Sequence, residues 1–148
     1  MKKPSVLLTF LPAAVLTKTV ALSLLTLLSF SNCGGNNQEI ETLSKETMTI
    51  HDEAMEEMAE MNRVARALKQ HLTVATMTPE QSAIYTETLA AMGKAENGMM
   101  DWMKNYKSPD EMAPSDALKY LKEQKTLIEQ NYAEIKAVLE AGKKLQGE

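Results

Sequence analysis

From Ile40 onward, apolar or small residues return every three or four positions: Ile40, Leu43, Thr47, Ile50, Ala54, Met58, Met61, Ala65, Leu68 and Leu72. Such spacing lays one stripe along an α-helix, with charged residues on the other faces. Asn36, three residues ahead of Glu39, is the expected cap, so a first helix is read from Glu39 to about Leu72. At 1.5 Å per residue it would be about 50 Å long. Residues 73–78 interrupt the pattern. Thr78-Pro79-Glu80-Gln81 then supplies an N-cap, a proline at the first helical position and a reciprocal glutamine. A second helix follows with Ile84, Leu89, Met92, Ala95, Met99, Met103 and Tyr106 at helical spacing, closing ahead of Ser108-Pro109. Within it Ala91, Ala95 and Gly98 form a shallow face for close helix contact, with Trp102 closing it. Ser115 backed by Asp116 is the expected cap of a third helix, whose stripe is Leu118, Leu121, Ile128, Tyr132, Ile135 and Leu139. Gly142 is its expected stop, followed by Lys143 and Lys144 near the negative helix end. No segment alternates as a strand would. The pattern predicts an all-α fold, an antiparallel up-down-up three-helix bundle over residues 39–148.

The chain ahead of this pattern is of another kind. Met1-Lys2-Lys3 opens a Leu-rich stretch that runs to Phe30, and Cys33, the chain's one cysteine, stands just behind it. A basic start, an apolar run and a following cysteine describe a cleavable lipoprotein signal peptide over residues 1–32, with lipidation of Cys33. Lys18 leaves residues 19–30 as the uninterrupted apolar region, shorter than the about 20 residues a helical span needs. Before the cysteine stands Leu28-Ser29-Phe30-Ser31-Asn32, in which Phe30 and Asn32 replace the usual small or aliphatic residues of the processing box. The alternative is an uncleaved anchor over residues 6–30, which would place Lys18 near the bilayer centre at about 3 kcal/mol. Residues 33–38, Cys-Gly-Gly-Asn-Asn-Gln, are expected to be a flexible lipidated tether. The expected address is the cell envelope, most simply the outer membrane with the domain facing the periplasm, and the membrane is the first expected partner.

Charge and composition narrow the function classes. The chain has 16 Lys and Arg against 20 Asp and Glu. Three of the basic residues precede Cys33, so residues 33–148 hold thirteen basic and twenty acidic side chains, a net −7. Nucleic acid is not an expected partner for such a surface. A single cysteine allows no internal disulfide, so stability must come from packing. The Gly-x-Ser-x-Gly elbow, the phosphate loop and the His-Glu-x-x-His motif are all missing, and neither histidine has a glutamate three residues ahead of it, as a di-iron bundle requires. The expectation is a non-catalytic protein.

Methionine is the one residue type whose placement suggests chemistry. Ten of the eleven follow residue 33, and eight of those fall in the windows 48–61 and 92–103. Folding the first two helices back about a midpoint near residue 75 brings together positions whose numbers sum to about 151. Met48 would then face Met103, His51 would face Met100, Met55 would face Glu96, and Met58 would fall near Met92. Residues 119–124 of the third helix come to the same level. Thioethers beside a neutral imidazole are soft donors that suit Cu(I), so His51, Met55, Met58, Glu96, Met99, Met100 and Met103 are a candidate copper site. The competing reading is that methionine, which adapts to irregular gaps, simply fills the core of a slender bundle. The acidic residues Asp52, Glu53, Glu56, Glu57 and Glu60 are read as a solvated flank, and His71 as a last-turn residue complementing the helix end.

Three stretches, His51-Asp52-Glu53-x-Met55, Ala95-Glu96-x-x-Met99-Met100-x-Trp102-Met103 and Tyr120-Leu121, resemble small uncharacterised helical lipoproteins of Bacteroidota, often labelled viral A-type inclusion protein. The resemblance covers most of residues 33–148. It implies a lipid-anchored helical protein and carries no activity onto these positions. The expected function is therefore a lipid-anchored binding or interaction module, acting on a protein partner or by self-association, with soft-metal binding as the alternative.

Overall fold

The computed structural model describes residues 32–147, with side chains from residue 35, so the expected leader before Asn32 lies outside the described residues. Three helices account for nearly all of them: α1 Asn32–Val74, α2 Pro79–Asn105 and α3 Pro114–Gln146, with a 3-10 turn, Pro109–Glu111, between the last two. No strand occurs among the described residues, and none of their helices is long and apolar enough to cross a membrane. The bundle described below belongs to one compact unit, Asn36–Glu148.

The boundary expected at Thr78 is the one observed. Thr78 Oγ1 accepts from the Gln81 backbone N–H at 3.2 Å, the Gln81 side chain accepts from the Thr78 N–H at 2.9 Å, and Pro79 takes the first helical position. Two donors of the helix start are thereby satisfied reciprocally. Other ends differ from expectation. α1 begins at Asn32 rather than Glu39, so Asn36 is interior to the helix and the backbone of residues 33–38, read as a flexible tether, is helical. Once a nucleus exists, each added residue gains a hydrogen bond without a new nucleation cost, which carries a helix into sequence of poor propensity. α3 is capped by Ala113, not Ser115, because Pro114 has no N–H to satisfy and fits the first position, leaving Asp116 and Ala117 N–H to bond the Ala113 carbonyl at 2.9 Å each. The expected stop at Gly142 is also displaced. α3 ends at Gly147, which has φ 84°, the left-handed conformation glycine adopts without strain.

The apolar stripes meet in one core. Ala54, Met58, Met61, Val64, Ala65 and Leu68 come from α1, Met92, Ala95, Met99 and Trp102 from α2, and Ile128, Ile135 and Leu139 from α3. Ile84 and Ala91, expected inward, are exposed, and Tyr85 takes the inward place, donating its hydroxyl to the Leu145 carbonyl at 2.9 Å. The second and third helices bring their backbones closest together. Small residues make room for side chains of the neighbouring helices, and Gly142 shows it best. It is buried inside α3, where an added Cβ would strike the Met92 methyl and sit 2.8 Å from Val64 Cγ1.

Side chains also join the helices at the edges. Asn62 Nδ2 donates to Glu96 Oε1 at 3.2 Å between α1 and α2, and Asn131 Nδ2 donates to the Gly98 carbonyl at 3.4 Å between α3 and α2. Along the seam of α1 with α3, Lys122 pairs with Glu39 at 2.8 Å, Lys125 with Glu46 at 2.7 Å and Lys143 with Glu60 at 3.9 Å. The hydrogen bond that Lys125 donates to Glu46 is the main cause of its raised pKa. Exposed pairs of this kind contribute about 1 kcal/mol or less each, so they set alignment more than stability.

Two glycine substitutions separate these effects. Gly93→Ala meets open space and should stabilise by about 1 kcal/mol through helix propensity. Gly142→Ala gains the same propensity but overpacks against stiff Val64, and should lose about 1 kcal/mol net. Urea unfolding midpoints of the two variants, moving in opposite directions, check both.

Candidate functional site

α1 and α2 do not deliver the seven candidate metal donors in the pairing the sequence suggested. Met58 and Met99 are enclosed in the apolar core, 6% and 0% exposed, and Met55 and Met103 pack against that core. Met100 is 51% exposed and Met48 39% exposed, both on the outside of the bundle. Glu96 is bonded by Asn62, seven positions beyond its expected partner Met55. His51 meets Trp102 instead of Met100, their rings stacked with centroids 5.6 Å apart at 29°. Its Nδ1 is 3.0 Å from Asp52 Oδ1.

The reason is azimuth. Residues 100 and 102 differ in height by only about 3 Å, but two steps of 100° turn them to nearly opposite sides of the helix. On α2 the inward line is Met92, Ala95, Met99 and Trp102, and Met100 lies off it. On α1 it is Thr47, Ala54, Met58 and Met61, which leaves the candidate stripe of Met48, His51 and Met55 on the shoulder. Among the described residues, no group of three or more His, Cys, Asp and Glu side chains is arranged to hold a metal ion.

What the helices do assemble around Trp102 is a run of aromatic rings. Tyr106 lies 4.9 Å from Trp102 and Tyr120 lies 6.0 Å from Tyr106, centroid to centroid. Tyr120 in turn accepts from the Lys107 N–H at 2.6 Å, tying the α2–α3 connection to the third helix. Burial, followed by the charges of Tyr120 and Asp110, holds the Tyr106 phenol above its ordinary pKa of 10.0. Two polar atoms of this region are enclosed without a partner, Trp102 Nε1 and Thr47 Oγ1. His71 is exposed at the other end, in the last turn of α1 as expected, its ring tilted against Tyr85.

Beside Trp102 a cleft of about 270 Å³ opens between α2 and α3. Gly98, Asp101, Trp102 and Asn105 line one side, Gln124, Leu127 and Asn131 the other. Its polar lining was not singled out in the sequence, although a signal was there. Gln124 and Asn131 fall three residues after Leu121 and Ile128, polar steps inside an apolar stripe.

Two measurements test which of these side chains are structural. Thr47→Val replaces an unpartnered buried hydroxyl with an apolar group of equal shape and should raise unfolding stability by about 1 kcal/mol. Met99→Ala should cost about 2–5 kcal/mol by opening the core, whereas Met100→Leu should change stability by less than about 0.5 kcal/mol. Denaturant unfolding followed by circular dichroism reads all three.

No family profile matches the chain, and no curated protein or solved structure matches it either.

Proposed function

We propose that this protein is a lipid-anchored helical bundle of the cell envelope that acts as a non-catalytic binding module. Its likeness to the small helical lipoproteins of Bacteroidota, carried by the stretches around His51, Met99 and Tyr120, supports the anchor and the helical fold and carries no activity. The address rests on Cys33 behind a basic and apolar leader, the pattern that exported, acylated proteins carry. In this reading residues 1–32 are removed, and acyl chains on Cys33 hold the domain at the outer membrane, facing the periplasm.

The helices are taken as an up-down-up bundle. Contacts between α1 and α2, His51 with Trp102 and Asn62 with Glu96, pair rising with falling numbers, as do Tyr85 with Leu145 and Gly98 with Asn131 between α2 and α3. Those between α1 and α3 rise together, from Glu39 with Lys122 to Glu60 with Lys143.

The observation that carries the binding role is the division of labour among side chains. The core methionines are committed to packing, while Asp101, Asn105, Gln124 and Asn131 line a cleft between α2 and α3. The soft-metal alternative has no comparable support, since Met100 is turned outward and His51 is stacked on Trp102.

Fractionation of the cells that make it tests the address. The native protein should sediment with membranes and incorporate labelled palmitate, and Cys33→Ala should abolish the label and leave the leader uncut. Native protein that is soluble and unlabelled would overturn the anchor.

A further inference from the structure

The cleft beside Trp102 has a chemical character more specific than its polarity. Asn105 donates its Nδ2 to the Asp101 carbonyl at 2.8 Å, and Asn131 donates its Nδ2 to the Gly98 carbonyl at 3.4 Å. Both carboxamides thus commit a donor to the α2 backbone, and each has a side-chain oxygen that can only accept. The Asp101 carboxylate, exposed at the mouth, has no ion pair among the described residues. Asp101 and Asn105 stand in the last two turns of α2, where the helix end adds partial negative charge. Opposite them Leu127, 46% exposed, supplies an apolar wall.

We infer that this cleft binds a guanidinium or ammonium group carried on a short apolar stem. A guanidinium offers five N–H donors in a planar fork and accepts nothing, which complements an unpaired carboxylate with carboxamide side chains beside it. Gln124, whose side chain makes no hydrogen bond among the described residues, turns to offer its own oxygen. The cleft, about 270 Å³ and open to solvent on one side, has room for such a group and a short stem. A sugar fits less well. It would stack on an aromatic face, and Trp102 is 7% exposed with His51 and Tyr106 against it. The net −7 of residues 33–148 favours approach of a cation over the whole surface. The inference rests on the binding-module reading and names the chemistry that module takes. The same cation is supplied either by a free alkyl amine or guanidine, or by an arginine or lysine side chain of a protein partner.

Trp102 is the chain's one tryptophan and lines the cleft, so its emission reports occupancy. The experiment titrates the full chain in detergent micelles with n-butylguanidinium and, separately, with its neutral isostere n-butylurea. Saturable change with the first and none with the second is expected, and Asp101→Asn should weaken binding about tenfold, the loss of one charge-assisted contact. Glu140→Gln, on the outer face of α3 and paired only with Lys144, should leave the affinity as it was. Acetyl-Leu-Arg-Leu-amide separates the sources: tighter binding than n-butylguanidinium supports a protein chain as the carrier, and weaker or equal binding supports a free amine or guanidine. Equal affinity for n-butylurea, an unchanged affinity in Asp101→Asn, or no saturable change with either cationic probe overturns the inference. Because every titration is done in micelles with the intact chain, its failure is separate from a failure of the membrane anchor, which fractionation alone reads.

Discussion

Close approach of α2 and α3 is the constraint on which the rest of this bundle depends. Small residues are buried along both helices, Ala95 on α2 and Ala117 and Gly142 on α3. Gly142 receives the methyl end of Met92 and a methyl of Val64, so all three helices are fitted at one point. Both phenylalanines lie ahead of Cys33, and the bundle therefore builds its core without that residue. Methionine takes the place of large rigid rings, filling the volume between α1 and the closer pair. Its flexible thioether adapts to the uneven gap that a glycine on one helix and alanines on the others leave behind.

The same arrangement explains where polar groups end up. Two helices in near contact at Gly98 leave a furrow on their solvent side, and side chains lining it can reach either backbone. Asn105 and Asn131 do so, each donating its Nδ2 to a carbonyl of α2. The seam of α1 with α3 is wider and is closed by long lysine and glutamate side chains instead. Tyr132 lies on that seam under Lys136, 4.0 Å from its ring. Burial, then the nearby charges of Glu53, Glu57 and Glu56, raises its phenol pKa. One seam is thus an electrostatic fastening and the other a cleft with unpaired acceptors, a difference that follows from the spacing of the backbones.

Much of the fold was legible along the chain. The inward stripe of α1, from Thr47 to Leu68, and that of α3, from Leu121 to Leu139, followed from period alone, because a 3.6-residue repeat of apolar groups has one way to be buried. The capping box at Thr78 was equally plain, since hydroxyl, proline and glutamine satisfy backbone donors locally and need no distant partner. Less legible were the ends without such chemistry. Ala113 caps α3 with no side-chain bond, and Gly142 read as a stop because sequence shows the absence of a Cβ without showing that Met92 and Val64 occupy its place.

For the candidate site the division is sharper. Sequence by itself determined the helices, most of their inward stripes and the excess of acidic over basic side chains. It also supplied heights, through fold-back arithmetic, and on heights His51 and Met100 belong together. Only the tertiary structure decided azimuth: Met100 outward, Trp102 on His51, and Asp101, Asn105, Gln124 and Asn131 around one cleft. Periodicity fixes which side chains leave water, a local property of each helix. Which polar groups share a furrow depends on how closely two helices approach and at what rotation, and that is set by residues such as Gly142 in contact across the bundle.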